Sequence, residues 1–342
     1  MIKSANVKSQ VNNTWLSPPR RKGTESKPSL FILMLCVLAF GISACDAQTI
    51  SPAPNFGSDF WKRWGDGKAE MAGYDITYPR YGQLRKGTGV TIFVTEDFSD
   101  SLRVKADPGK HPKASVYPVI KLNLVEDFPT GLYDYNLMTS VFVRADHSGK
   151  GGLPVKASFS AQEWCGHGYA QLLFDKNTIR LTSHSYFDGE ADQNHKLSMP
   201  GHAMSQDTLM HWARGLASPV LKPGQAVKVN MLMTLAHSRL RHQPLSFTQA
   251  TLAFADQPVA VTVPAGRFTC DQLTCTLADG QTWTFHVDRK SPYRPIIQWE
   301  STAGHKGQLI KSKRLPYWRL HDNGDKSILS ELGLKPREAR MP

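Results

Sequence analysis

The sequence predicts a mainly β protein, an antiparallel barrel or sandwich with a few short helices, and three observations carry that expectation. Between about residues 85 and 315 most segments alternate apolar and polar residues and are rich in β-branched and aromatic side chains. That period of two belongs to strands with one buried face. Clusters of Gly, Pro, Asn and Asp punctuate these segments at short intervals. No long helical patterns alternate with them and no period of roughly 20–50 residues repeats, which argues against a doubly wound α/β sheet.

The elements follow in chain order. Residues 20–45, RRKGTESKPSLFILMLCVLAFGISAC, set a basic stretch before an apolar or small run from Leu30 to Ala44. As a helix that run covers only about 22 Å, short of the roughly 30 Å hydrocarbon core of a bilayer, so it reads as an export signal rather than a span. It ends in Ile42-Ser43-Ala44-Cys45. An aliphatic residue, two small residues and a cysteine resemble the bacterial lipobox, in which small residues fit the signal peptidase cleft and the thiol takes the diacylglycerol. Residues 1–44 are therefore expected to be a lipoprotein signal peptide. Cys45 becomes the lipidated first residue, and the polar, proline-bearing 45–58 a tether. Acylated Cys45 makes membrane lipid the expected partner, each buried CH₂ contributing about 0.8 kcal/mol. The rest of the chain is expected to face the periplasm of a bacterial envelope. By resemblance to enteric lipoproteins, Asp46 favours the inner over the outer membrane.

Ser58 as N-cap, with Phe60, Trp61 and Trp64 at helical spacing, predicts a short helix over about 58–72. Strands are then expected at 89–98, 117–128, 133–146, 155–175 and 178–192. SQDTLMHWARGL interrupts the series: Ser205 or Asp207 as cap, with Leu209, Trp212 and Leu216 in phase, predicts a helix over 205–217. Strands return at 219–235, 247–256 and 259–314, the last stretch turning at Asp279-Gly280, and a final short helix is expected at about 325–333. The β-rich domain spans 59–335, and the break allows two subdomains, about 75–195 and 219–315.

Two sets of residues carry a family resemblance. Val263-Pro264-Ala265-Gly266-Arg267-Phe268, Asp279-Gly280, Thr284-Phe285-His286-Val287-Asp288 and Pro295-Ile296 are similar to exported β-proteins of unknown function with a V-P-A-G-x-F motif. FWKRWGDGKAEMAGY, PRYGQLRKG, EWCGHGY and RLPYWRL resemble uncharacterised bacterial lipoproteins over nearly the whole mature length. Some of those carry the label septum formation inhibitor, but the N-terminal S-x-S-x-R-R-type nucleotide motif of that α/β family is absent here. The resemblance implies a fold and a compartment, not a reaction.

The formal charge is +12, of which residues 1–44 contribute +5 through six basic residues and Glu25. The remaining positive charge is interspersed with acids rather than gathered in a stripe, so no nucleic-acid partner is expected. The one dense run, KGQLIKSKR (306–314), reads as a solvated strand edge.

One stretch, FSAQEWCGHGYAQLLF (159–174), looks chemical. Cys165 stands two residues from His167 with Glu163 just upstream. Residues two apart on a strand share a face, and a thiolate needs a neighbouring base. Gly166 and Gly168, with Trp164 and Tyr169 about them, suit close backbone packing instead. The favoured expectation is therefore a buried, structural Cys165. His184, Asp188 and Glu190, with Asp192 and His195 nearby, are the candidate metal ligands, but the calcium-loop and H-E-x-x-H spacings are missing and Asp188-Gly189 reads as a turn. Cys270 and Cys275 on one strand would lie about 16 Å apart on opposite faces, beyond disulfide reach; a turn at DQLT, or a bridge to Cys165, remains the alternative. No cofactor is implied. The expected function is a binding or envelope-structural module with an envelope protein or apolar ligand as partner. The alternatives are an apolar-ligand (lipid) carrier and a thiol-dependent enzyme using Cys165 and His167.

Overall fold

A computed structural model describes residues 53–336; the expected export signal, Cys45, the first part of the expected tether and residues 337–342 lie outside the described residues. The period-two segments form sixteen strands. β1 (Ala69–Arg80), β2 (Gln83–Ser99), β3 (Val116–Pro129), β4 (Asp134–Arg144), β5 (Pro154–Glu163), β6 (Gly166–Phe174), β7 (Thr178–Ser185) and β8 (Gln193–Ser198) make an antiparallel meander. The second half contributes β9 (Ala203–Ser205), β10 (Ala226–Leu232), β11 (Phe247–Phe254), β12 (Val259–Val263), β13 (Gly266–Leu277), β14 (Thr282–Asp288), β15 (Ile296–Ser301) and β16 (Lys306–Leu315).

β1 pairs with β16 from Ala69↔Leu315 to Thr77↔Lys306, which joins the halves into one sheet of order β8-β7-β6-β5-β4-β3-β2-β1-β16-β15-β14-β13-β11-β10-β9. β12 hangs on β13 beside that path. All neighbours are antiparallel except β9 and β10. The antiparallel β class expected from the sequence is present, but the sheet does not close into a barrel, because its edge strands β8 and β9 do not pair. The two expected subdomains are the two flanks of this sheet and share one core. β16 lies between β1 and β15, so KGQLIKSKR is a central strand rather than an edge; Lys311 and Lys313 are simply exposed on its outer surface.

The helical segments are short. α1 (Ser58–Trp64) starts the domain. A single 3₁₀ turn, Gln206–Thr208, leads into α2 (Leu209–Ala213), followed by α3 (Leu235–Arg241) and α4 (Ile328–Glu331). Three of these occupy the expected helical stretches; α3 falls where a strand and a loop were expected. The twisting sheet wraps around α2. Its flanks meet that helix in one cluster holding Tyr74, Leu122, Phe159 and Leu172 from one half, Leu252, Phe285 and Trp299 from the other, and Leu209 and Trp212 from α2 itself. Each such side chain contributes about 1.5–3 kcal/mol on burial. Close packing dictates two small residues. A Cβ at Gly307 would lie 2.2 Å from the buried Trp299 ring, and one at Gly87 2.2 Å from Asp127 O.

Because the strands alternate direction, all their connections fall at two ends. At one end, Phe56, Phe60 and Trp64 enter the core beside the start of β1. There Arg214, following α2, makes a bidentate pair with Glu70 at 2.7 and 2.9 Å and lies over the Phe93 ring at 4.2 Å. Next to it His211 is wholly buried, its Nε2 donating to Ile120 O at 3.1 Å, and burial pushes its pKa down to about 3, so it is neutral. The other end carries the hairpin turns at 81–82, 130–133, 164–165, 278–281 and 302–305, and α3 folds in among them.

Candidate functional site

At this second end the interior is not filled. A cavity of about 700 Å³ lies between the β1–β2 hairpin, β3, β14, the β15–β16 turn, the start of α2 and α3. Its wall follows from strand alternation. Ile120, Leu122, Leu124, Glu126 and Phe128 of β3 share a face, so the apolar row that builds the core also turns a carboxylate inward. Tyr78 and Arg80 continue the inward row of Tyr74 and Ile76 on β1 in the same way. Leu122, Leu124, Leu209, Met210, Leu240 and Phe285 form the apolar lining.

Polar groups converge on this apolar space. Glu126 Oε1 lies 2.6 Å from His305 Nε2, both side chains nearly buried. The His305 ring is caged by Tyr78 at 4.7 Å and Trp283 at 5.2 Å. Burial keeps the Tyr78 phenol protonated, well above its ordinary pKa. Asp207 accepts on Oδ2 from Leu235 N–H and from the Ser205 hydroxyl. Loss of solvent outweighs those bonds and raises its pKa to about 7. His237 on α3 is pushed down, first by burial and then by the Arg241 charge. Arg80 donates to Tyr135 Oη at 2.9 Å and to Leu240 O at 2.8 Å.

α3 owes its place to Thr234, whose hydroxyl caps it by accepting from His237 N–H at 2.8 Å. Ala236, His237, Leu240 and Arg241 face the large cavity; Leu235, Ser238, Arg239 and His242 face a second one of about 500 Å³ against β5–β8.

The residues singled out from the sequence lie elsewhere. The run 155–175 is not one strand: Trp164 and Cys165 are the two-residue turn between β5 and β6. Cys165 is exposed, which corrects the expectation that it is buried, and Trp164 is exposed with it. Its backbone N–H donates to Glu163 Oε2 at 3.2 Å, and that carboxylate, by hydrogen bond first and charge second, holds the thiol above its ordinary pKa. No hydrogen bond joins Cys165 to His167, whose side chain is exposed on the strand beyond the turn. The glycines do serve close packing. A Cβ on Gly166 would meet Tyr186 at 2.5 Å, and one on Gly168 would meet Arg239 at 2.8 Å. Arg239 lies over the Phe187 ring at 3.7 Å between Glu163 and Glu190.

Glu190 pairs with His242 and Arg239, His184 with Asp192 at 2.9 Å, and Asp188 is exposed in the turn with Gly189. Among the described residues no three His, Cys, Asp or Glu side chains group as metal ligands. Cys270 and Cys275 both lie on β13 as buried free thiols, pushed up to about 12 by burial. Set against known proteins, the chain has no significant match to a family model, a curated protein or a solved structure.

Proposed function

We propose that this chain is a lipid-anchored protein of the bacterial envelope that binds an amphipathic small molecule in the cavity between β3, β14 and α3. The observation that carries the reading is the cavity itself. Its volume of about 700 Å³ falls in the range of roughly 300–1,000 Å³ typical of small-molecule sites, and it combines an apolar wall with a few convergent polar groups, as such sites do. Between a structural module and an apolar-ligand carrier, the open interior favours the carrier, since a purely structural sheet gains by filling its core. The lining refines the ligand: Glu126, His305 and Asp207 are costly to bury against a purely apolar molecule. A thiol-dependent reaction at Cys165 has less support, because Glu163 disfavours the thiolate and His167 makes no bond to it.

The lipobox motif supports the anchor, and the apolar run before it supports export. Blocking the cavity tests the binding reading. Met210→Trp, placed on the apolar wall, should abolish uptake of a fluorescent fatty-acid analogue while the far-UV circular dichroism stays unchanged. Undiminished uptake would remove the cavity from the proposal. Cys45→Ala should release the protein from membranes and abolish labelling with an acyl-chain probe; persistent labelling would remove the anchor.

A further inference from the structure

We propose that the ligand's head group is an anion, a carboxylate or phosphate on an apolar chain, held at the cavity mouth by Arg80 and Arg241. This rests on the cavity being the binding site and adds the chemistry of what enters it. Arg103, Arg144, Arg214 and Arg314, all largely buried, and the partly exposed Arg294 each reach a carboxylate within 3.2 Å. Arg80, like Arg85 whose bond runs to Thr130 O, departs from that habit. Its bonds run to the Tyr135 and Tyr81 hydroxyls and to Leu240 O, all neutral. The bond to Leu240 O sets the guanidinium one residue from Arg241, which lines the same cavity and has no ion pair among the described residues.

The carboxylates inside do not neutralise this pair. Glu126 is engaged by His305 at 2.6 Å, and Asp207 is committed to Leu235 N–H and Ser205. Two arginines thus line one largely apolar chamber, neither paired with a carboxylate among the described residues. Guanidinium is the donor array that matches carboxylate and phosphate oxygens. An anionic head at the mouth with its chain directed toward Leu122, Leu209 and Phe285 satisfies both features.

Three ligands of equal chain length and different head decide the matter: palmitate, hexadecanol and hexadecylamine, titrated against the acyl-free mature chain (Cys45→Ala, signal removed) by displacement of a fluorescent probe. Palmitate should bind at least tenfold more tightly than hexadecanol, and hexadecylamine most weakly. The palmitate advantage should shrink several-fold in Arg241→Gln, which alters an exposed side chain, and in raised salt. Arg80→Gln should act in the same direction and serves as the second variant. Hexadecyl phosphate binding more tightly than palmitate would support the proposal and assign the head to phosphate. Equal affinity for all three heads, or preference for the amine, would overturn the anion while leaving the cavity as the site. Failure of every ligand to bind would overturn both readings.

Discussion

Asp207 offers the sharpest test of how the cavity end is built. Its carboxyl accepts only Leu235 N–H and the Ser205 hydroxyl, and burial raises its pKa from 3.8 to about 7. The folded state therefore holds a proton that the unfolded chain releases above pH 4. Stability from this group is fully present below pH 4 and is lost as pH rises toward 7, the opposite of a salt-bridged acid. At about 1.4 kcal/mol per unit, the loss across that interval is on the order of 4 kcal/mol. Asp207→Asn retains an acceptor for Leu235 N–H and cannot ionise. Urea unfolding of both proteins from pH 4.5 to 8 should give nearly parallel values at the acid end. The variant should gain progressively from pH 4.5, by about 3 kcal/mol near neutrality. Subtracting one curve from the other cancels the remaining titrating groups, including the Glu126–His305 pair. A difference that does not change with pH, or a variant less stable at pH 8 than at pH 5 relative to the parent, would mean that Asp207 is ionised and solvated from the cavity, and the reasoning would fail.

Four further outcomes follow from particular contacts. In the folded acyl-free chain (Cys45→Ala, signal removed), Cys165 alone should react with an alkylating reagent, Cys270 and Cys275 becoming reactive only in denaturant, as mass spectrometry would read. Glu163→Gln should speed the Cys165 reaction at neutral pH, because it weakens the hydrogen bond and removes the charge that together raise the thiol. Glu70→Gln leaves the Arg214 guanidinium buried without its counter-charge and should cost about 3–5 kcal/mol in urea unfolding. Gly307→Ala drives a methyl to 2.2 Å from Trp299 and should cost about 1–3 kcal/mol or more, whereas Gly131→Ala, with open space around it, should leave the midpoint unchanged.

The strands were legible because alternation survives in nearly every one. On β3, Ile120, Leu122 and Leu124 announce the inward face, and Glu126 in the same phase was a readable sign of a carboxylate turned inward. Its partner was not. His305 sits in a hairpin turn 179 positions away, and only the sheet order brings it opposite β3. α3 escaped because seven residues carry too little periodicity to outweigh the apolar MLMTL before them; β10 ends at Leu232 and Thr234 begins a cap instead. The turn at Trp164-Cys165 escaped for a related reason. Neither residue is a turn former, and the glycines nearby, which look like a strand defect, make room for Tyr186 and Arg239. Barrel closure could not be read at all, since it depends on whether two edge strands meet, and no local pattern in β8 or β9 encodes that.

The division of the interior also bears on how far binding and folding can be separated. The end that receives α1 is filled: Phe56, Phe60, Trp64 and Trp212 are buried there, with Glu70 paired to Arg214. The opposite end keeps its open volume, and its polar groups come from elements remote in sequence: Arg80 of β1, Glu126 of β3, Asp207 of the 3₁₀ turn before α2, His237 and Arg241 of α3, and His305 of the β15–β16 turn. A side chain facing empty space has fewer packing partners to lose when it is truncated, whereas one in the filled end leaves a cavity behind. Truncations such as Leu124→Ala or Trp283→Ala at the open end should therefore cost less stability than Trp212→Ala or Phe93→Ala, while altering ligand uptake more. Such an asymmetry is what the proposed binding role requires: one end of the sheet holds the fold together and the other takes up the ligand.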